Sequence, residues 1–371
     1  MTNAIYTQMT DREEEGRERL RKKKPRVYEK IIRHAEKIIK KESVAFIQLE
    51  YDYKCNFKCE HCAIEAFKKP GKGHRKLTVL DVKNIADQAD AMGLASICIS
   101  GGEPLIFPEL RDLVNAIDPK RFSVSMDTSG WFLSEEKIKW LVEIGLDRIH
   151  LSIDGLETGH DEFRRKEGSW RRCIDALPLC KKYGLGVIVN IVVTKSDLKS
   201  GALVKHLEYL KQFNVYSSLI YAKPIGGFRE GYDEEILNTE DHTYLDKLTE
   251  IYNAGTRHSL VNGYFFKCFT FKKQFSITAY GDVMPCPWIP ITFGNLFKER
   301  LESIVKRGLK MEWFSYDYLQ ECLCGNTDSF FFQHIMPQAH EIAKIDGYPV
   351  DWKKIDWYRE QAKLNPRKED E

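Results

Sequence analysis

No stretch of this chain approaches the ~18 consecutive apolar residues that a membrane-crossing helix needs. The opening residues, MTNAIYTQMTDREEEGRERL, hold no apolar run of the kind a secretory signal carries. The expected compartment is therefore the cytoplasm, with no membrane partner. Charge of one sign is also missing. Fifty-seven basic residues stand against 55 acidic ones, a net charge of +2, which gives no overall field for a nucleic acid, so no DNA partner is expected. There is no P-loop, no H-E-x-x-H and no G-x-G-x-x-G after a strand pattern, and this removes the commonest nucleotide and zinc-hydrolase signatures. No internal repeat or low-complexity segment is present. What remains is a chain of 371 residues, 43% hydrophobic and 30% charged, long enough to bury a sizeable core.

Cysteine is the residue type that stands out. There are ten: Cys55, Cys59, Cys62, Cys98, Cys173, Cys180, Cys268, Cys286, Cys322 and Cys324. An even count permits disulfides, but a reducing compartment and a large core argue against them. Their clustering points to metal binding.

Residues 1–43 are highly charged, and 27–41 read as a basic amphipathic helix with Ile31, Ile32, Ala35, Ile38 and Ile39 on one side. This segment is either an extension packed on the main domain or a docking surface for an acidic partner. From residue 44 strands alternate with helices. Strands are expected at 44–51, 95–100, 122–128, 148–154, 186–194 and 217–223, and helices at 77–93, 108–117, 134–144, 170–183 and 200–213. Such alternation implies a parallel sheet with right-handed crossovers. Six units predict an α/β fold with a partial (β/α)6 TIM-like barrel over 44–239, its ligands at the carboxyl ends of the strands. A helix at 240–253 and a hairpin at 275–287 open a smaller α+β domain over 240–371.

Cys55-Asn-Phe-Lys-Cys59-Glu-His-Cys62 is C-x3-C-x2-C, directly after the first strand. Three thiolates on one short loop can hold three irons of a cubane and leave the fourth iron open. Zinc ribbons use paired knuckles with a fourth protein ligand, and electron-transfer clusters normally take four cysteines. Three close cysteines with no obvious fourth suit a cluster that binds something else. Here the sequence resembles the radical SAM superfamily. The resemblance implies a catalytic [4Fe–4S] cluster whose open iron chelates S-adenosylmethionine, and a one-electron cleavage that yields a 5′-deoxyadenosyl radical to take hydrogen from a substrate. It also implies that His61, just before the third cysteine, lies near the adenine.

Three more segments carry the likeness. Gly101-Gly102-Glu103-Pro104 ends the second strand and resembles the family's GGEP motif. Glycines let a backbone approach a ligand closely, and a carboxylate such as Glu103 can meet the methionine ammonium. Asp127-Thr128-Ser129-Gly130 resembles the turn after the third strand. Ser152-Ile153-Asp154-Gly155 is similar to the S-x-D-G motif, in which the serine and a following arginine help hold the cofactor. Ser152 matches the serine, and Arg164 or Arg165 the arginine. Asn190, in the fifth strand, either faces the cofactor or fills the barrel.

Cys268 and Cys286, the latter in Gly281-Asp282-Val283-Met284-Pro285-Cys286, precede Gly294-Asn295-Leu296. This resembles the C-terminal extension called SPASM, or its shorter twitch form, and implies an auxiliary cluster. With Cys322 and Cys324 the region holds four cysteines, enough for one auxiliary [4Fe–4S] cluster rather than two. Cys173, Cys180 and Cys98 are then core thiols, with Cys98 a candidate hydrogen-atom donor. Substrate walls are expected from Tyr221, Lys223, Arg229 and Tyr232, with Phe330-Phe331-Phe332-Gln333-His334 as a cap.

The expected partners are a substrate and a flavodoxin- or ferredoxin-like electron donor. Two substrate classes stand: a peptide, modified by cross-link, epimerisation or oxidation, and a small molecule such as an aminosugar or nucleotide. The basic N-terminal arm is short for a leader-binding domain, which weighs against the peptide without removing it. An iron–sulfur carrier without catalysis conflicts with the GGEP and S-x-D-G segments.

Overall fold

Apolar strands flanked by helices with one buried face can close a core only by layering, and the chain does so. The computed structural model describes residues 18, 20–68, 75–229, 233–256, 268–318 and 322–358. Strands β1 (Phe46–Asp52), β2 (Ser96–Gly101), β3 (Ser123–Thr128), β4 (Arg148–Ser152), β5 (Gly186–Val193) and β6 (Tyr216–Tyr221) pair in that order, all parallel. When each strand lies beside its predecessor, right-handed crossovers put the helices on one side, and the sheet curls. The sheet does not close, so the barrel is partial.

The connecting helices are Val79–Ala91, Leu110–Ile117, Glu135–Glu143, Ser169–Tyr183 and Ala202–Leu210. Their starts are chemically marked: Thr78 with Asp81 forms a capping box, and Ser134 accepts from the Lys137 amide. A helix at Glu157–Arg164 was not anticipated from the sequence, and the segment expected as one helix at 200–213 begins earlier, at Lys195–Ser200.

The sheet runs on past residue 239. Helix Thr239–Ile251 leads into β7 (Ala254–Thr256), which pairs in parallel with β6. On the opposite edge β8 (Gln274–Ile277) pairs in parallel with β1 and forms the expected hairpin with β9 (Val283–Met284). C-terminal segments thus cover both edges of the six-stranded sheet, which would otherwise expose unpaired backbone groups. Beyond them, β10 (Ile291–Thr292) pairs with β11 (Val350–Asp351), and helices Leu301–Lys310 and Met336–Asp346 surround an aromatic core. Phe331 belongs to that core, in ring contact with Trp313, Phe314 and Trp357, and Phe330 stacks on Trp313. These two phenylalanines pack the interior of the C-terminal region instead of capping a pocket.

The N-terminal arm forms two helices, Pro25–Ile32 and His34–Ile39, with a break at Arg33. Its lysines reach the amino ends of the strands. Lys24 bonds the Phe122 carbonyl at 3.1 Å, and Lys30 bonds those of Leu94 and Arg121 at 2.9 and 2.8 Å. The arm therefore packs on the barrel, at the end opposite the cysteine loop. Among the described residues no helix is long and apolar enough to cross a membrane.

Candidate active site

The loop after β1 carries Cys55, Cys59 and Cys62, and two glycine pairs grip its backbone. On one side the Gly102 amide donates to the Asp52 carbonyl at 2.8 Å and the Glu103 amide to that of Lys54 at 2.9 Å. A β-carbon at Gly101 would fall 2.2 Å from Asp52 O, and one at Gly102 would fall 1.8 Å from Lys54 O. The sequence suggested that these glycines admit a ligand; their nearest neighbour is the cysteine loop itself. On the other side the Gly227 amide donates to the Cys62 carbonyl at 3.1 Å. Added β-carbons at Gly226 and Gly227 would fall 2.0 Å from Cys62 O and 1.7 Å from Glu60 O. This second pair was missed, although Pro224-Ile225-Gly226-Gly227 directly after a strand is a readable turn signal.

The loop overhangs a cleft of about 1180 Å³, open solvent included. Cys55, Cys59, Cys62, His61, Gly101, Gly102, Glu103, Ser152, Arg164 and Asn190 all line it. Glu103 is buried, and both its oxygens are engaged. Oε1 accepts from Thr128 Oγ1 at 2.8 Å and the Leu105 amide at 3.1 Å, and Oε2 accepts from the Ser129 hydroxyl at 2.6 Å and amide at 2.8 Å. The carboxylate thus locks the end of β2 to the end of β3. Burial pushes its pKa up, against those bonds.

Of the two candidate arginines, Arg164 lines the cleft. Its Nε donates to Asp154 Oδ2 at 2.5 Å, and its guanidinium lies 3.9 Å from Cys59 Sγ. Arg165 ends the helix in a left-handed conformation. Burial raises the Asp154 pKa, but Arg164 and the nearby histidines outweigh it and hold the group at about 2. Asp154 Oδ1 also accepts from the Val192 amide at 2.8 Å, which ties the pair to β5. His61 stacks on Phe163 with ring centroids 4.3 Å apart. Burial and the Arg164 charge lower its pKa to about 3, so the ring is neutral at ordinary pH. Ser152 and Asn190 are register partners on β4 and β5.

Glu50, on β1, was missed. It is buried on the cleft wall, with Ser276 Oγ donating to it at 2.8 Å and Tyr53 OH at 3.1 Å. Burial pushes its pKa up to about 7. A carboxylate in the interior of the strand Phe46–Asp52, between the apolar Leu49 and Tyr51, was the available signal. Cys98 is not on the cleft wall: it is buried, with Sγ 3.6 Å from His150 Nδ1, which lies 2.8 Å from Asp127 Oδ1. Cys173 and Cys180 are core thiols, the first donating to the Ser129 carbonyl at 3.1 Å.

The other four cysteines, Cys268, Cys286, Cys322 and Cys324, are buried around a second space of about 450 Å³, open solvent included. Lys223 enters it and donates to Cys322 Sγ at 2.9 Å. Tyr221 is buried and stacks on His242, whose Nε2 lies 2.9 Å from the Gly325 carbonyl. Lys223 and Tyr221 thus belong to this cavity's surroundings and not to the first cleft. Tyr232 lies outside the described residues. Ile220 and Trp288 line both spaces.

The two sets of thiols suit iron–sulfur groups chemically. All ten cysteines are free of disulfides. Burial raises the pKa of Cys55 and Cys59, that of Cys62 to about 11, and that of Cys324 well above its usual range. Thiols in such surroundings ionise when a metal supplies the compensating charge.

Residues 49–199 match the radical SAM superfamily, and residues 268–326 match the iron–sulfur cluster-binding domain SPASM. The chain belongs to the radical SAM superfamily. Membership brings a [4Fe–4S] cluster and S-adenosylmethionine, and the C-terminal domain brings auxiliary iron–sulfur binding.

An Fe-coproporphyrin III synthase from Methanosarcina barkeri is 28% identical over 146 residues, 39% of this chain and 36% of that protein. An AdoMet-dependent heme synthase of the same organism is 24% identical over 285 residues, 67% of this chain and 78% of its own length. A PqqA peptide cyclase from Gluconobacter oxydans is 29% identical over 153 residues, 40% of this chain and 41% of the cyclase. The chain thus spans well under half of two of these three relatives. Among solved structures, Streptococcus suis SuiB bound to precursor peptide SuiA superposes with a TM-score of 0.56 at 17% identity, covering 75% of this chain and 69% of SuiB. The anSMEcpe protein with bound AdoMet gives 0.55 at 17% identity, covering 81% and 99%. Both share the fold.

Proposed function

We propose that Cys55, Cys59 and Cys62 hold the catalytic [4Fe–4S] cluster, and that Cys268, Cys286, Cys322 and Cys324 hold one auxiliary [4Fe–4S] cluster. S-adenosylmethionine binds along Gly101, Gly102, Glu103, Ser152, Arg164, Asn190 and His61. The observation that carries this reading is that the three first-cluster cysteines and all seven cofactor residues, carried by β1, β2, β4 and β5 or the segments that follow them, line the same cleft. We assign residues 1–43 as a basic helical N-terminal extension, 44–239 as the radical SAM partial barrel, and 240–371 as the auxiliary iron–sulfur region.

With both groups bound, the site supplies reductive cleavage of the sulfonium and a 5′-deoxyadenosyl radical that takes hydrogen from the substrate. The chain's own residues prepare for that chemistry. Arg164, fixed by Asp154, places a positive charge beside Cys59 and offsets the charge of ionised thiolates. The Glu103 oxygens keep the ends of β2 and β3 in register around the cofactor. His61 offers a flat neutral ring backed by Phe163. Glu50, with a pKa of about 7, can accept a proton at a carboxylate oxygen on the cleft wall.

For the substrate we propose a peptide, modified at a carbon by cross-linking, epimerisation or oxidation. The cleft wall carries Glu50, Glu65, Glu103 and Asp127 against Lys68 and Arg164. Lys68 is paired with Glu65, and Arg164 with Asp154. Among the described lining residues both cations are paired, and a wall bearing these carboxylates suits neutral or cationic peptide groups better than a ligand bearing several carboxylates. PqqA peptide cyclase and the peptide-bound SuiB fold support this reading. A small molecule is the second reading, and the heme synthase, matched over 78% of its length, favours it.

A flavodoxin- or ferredoxin-like donor supplies the electron, approaching where Lys54, Cys55 and Lys58 are exposed. Such a donor and a reducing compartment place the protein in the cytoplasm. The test is 5′-deoxyadenosine formation by anaerobic, reconstituted protein. Cleavage is expected on reduction, and Fe-coproporphyrin III should leave its rate unchanged. A clear stimulation by that tetrapyrrole overturns the peptide reading, and no cleavage at all overturns the catalytic one.

A further inference from the structure

We propose that Lys223 sets the reduction potential of the auxiliary cluster. The inference rests on the assignment of Cys268, Cys286, Cys322 and Cys324 to that cluster.

Lys223 follows β6 and turns away from solvent; it is 7% exposed. Its Nζ lies 2.9 Å from Cys322 Sγ, within direct bonding reach of one of the four sulfurs. The position is built for it. A β-carbon at residue 325 would fall 2.0 Å from Lys223 Nζ, and Gly325 is the residue directly after Cys324. The Gly325 carbonyl is in turn fixed by His242 Nε2 at 2.9 Å, and His242 stacks on Tyr221, two residues before the lysine. The cysteine turn and the lysine therefore fit each other as one unit. The lysine stem also places its ammonium 4.9 Å from the Tyr221 ring centroid and 5.6 Å from that of Trp288.

Four ionised cysteines in a buried cavity create a concentrated negative charge. The potential of an iron–sulfur cluster follows its net charge, the hydrogen bonds to its sulfurs and its exposure to water. A buried ammonium that donates to a ligand sulfur acts on the first two. Its attraction strengthens when the cluster gains an electron, so it favours the reduced form. A surface lysine would be screened; this one is shielded from water and salt. The consequence is an auxiliary cluster poised to receive an electron beside the Trp288 wall that the two spaces share. Lys223 is a positioning residue here, not one that touches substrate.

The test uses the full chain with Cys55, Cys59 and Cys62 all changed to Ala, so that the remaining signal comes from the auxiliary site. Potentiometric titration read by electron paramagnetic resonance is compared with and without Lys223→Met and Lys223→Gln. Lys223→Gln keeps an N–H donor without the charge. Both variants should lower the reduced-to-oxidised ratio at fixed potential at least tenfold, a 59 mV fall for one electron, with Lys223→Met the larger. An unchanged midpoint overturns the proposal. Loss of the cluster from both variants also overturns it, and makes the lysine an assembly residue. A background protein that binds no iron removes the four-cysteine assignment itself, a different failure with a different readout.

Discussion

Gly102 and Lys54 meet backbone to backbone: a β-carbon on the glycine would fall 1.8 Å from the lysine carbonyl oxygen. The same relationship holds across the loop, where a β-carbon on Gly227 would fall 1.7 Å from Glu60 O. Neither contact involves a flexible side-chain end, so the loop itself must shift. Gly102→Ala and Gly227→Ala should each destabilise by about 1–3 kcal/mol. Their larger effect should be on the metal. Iron per chain after reconstitution should fall from about eight toward about four, because the first cubane is lost and the auxiliary one kept. Full iron content in both variants contradicts the clamp.

Asp154 and Arg164 form a buried pair, and breaking it leaves an uncompensated charge. Asp154→Ala should lower stability by roughly 3–5 kcal/mol in urea unfolding. The pair also predicts an acid limb. The Asp154 pKa is held at about 2 in the fold, below its unfolded value near ~3.8. Its contribution is present above ~4 and is lost as pH falls toward 2. Asp154→Asn should flatten that part of the acid-unfolding profile.

Glu50 predicts a slope of the opposite sign. Burial raises its pKa to about 7, so the folded state binds the proton more tightly than the unfolded one. Its contribution is full below about 4.5 and declines as pH rises through 7, by ~3 kcal/mol in total. His61, lowered to about 3, works the other way over an overlapping range: the fold gains stability as pH rises from 3 to the ordinary histidine value. The two can be separated only by difference. Glu50→Gln minus wild type, measured by denaturant unfolding from pH 4.5 to 8, should show stability gained with rising pH. A flat difference contradicts the raised pKa.

Cys180 is a core thiol that lines neither of the two spaces. Cys180→Ala should leave the iron count and cofactor cleavage unchanged while costing ~1–2 kcal/mol for the small cavity. A fall in iron would place this helix in a cluster site.

Much of this was legible in the sequence because the relevant chemistry is local. The six strands carry apolar runs, the cysteines sit at fixed spacing, and the motif residues stand at strand ends. What escaped depends on distant neighbours. β7, Ala254–Thr256, is three small residues with no pattern, and becomes a strand only by pairing with β6. Gly226 and Gly227 read as a turn, but their partners lie some 165 residues earlier in the chain. Lys223 read as a substrate residue because it ends a barrel strand, while its ammonium is drawn to Cys322, which 98 intervening residues separate from it. The GGEP glycines were read toward a ligand because a sequence cannot show which backbone will come close.

The most direct test of the whole account is anaerobic iron counting paired with 5′-deoxyadenosine formation under dithionite. Wild-type protein is compared with a variant carrying Cys55→Ala, Cys59→Ala and Cys62→Ala. The account predicts about eight irons and cofactor cleavage in the wild type, against about four irons and no cleavage in the variant. Undiminished cleavage in the variant would contradict it.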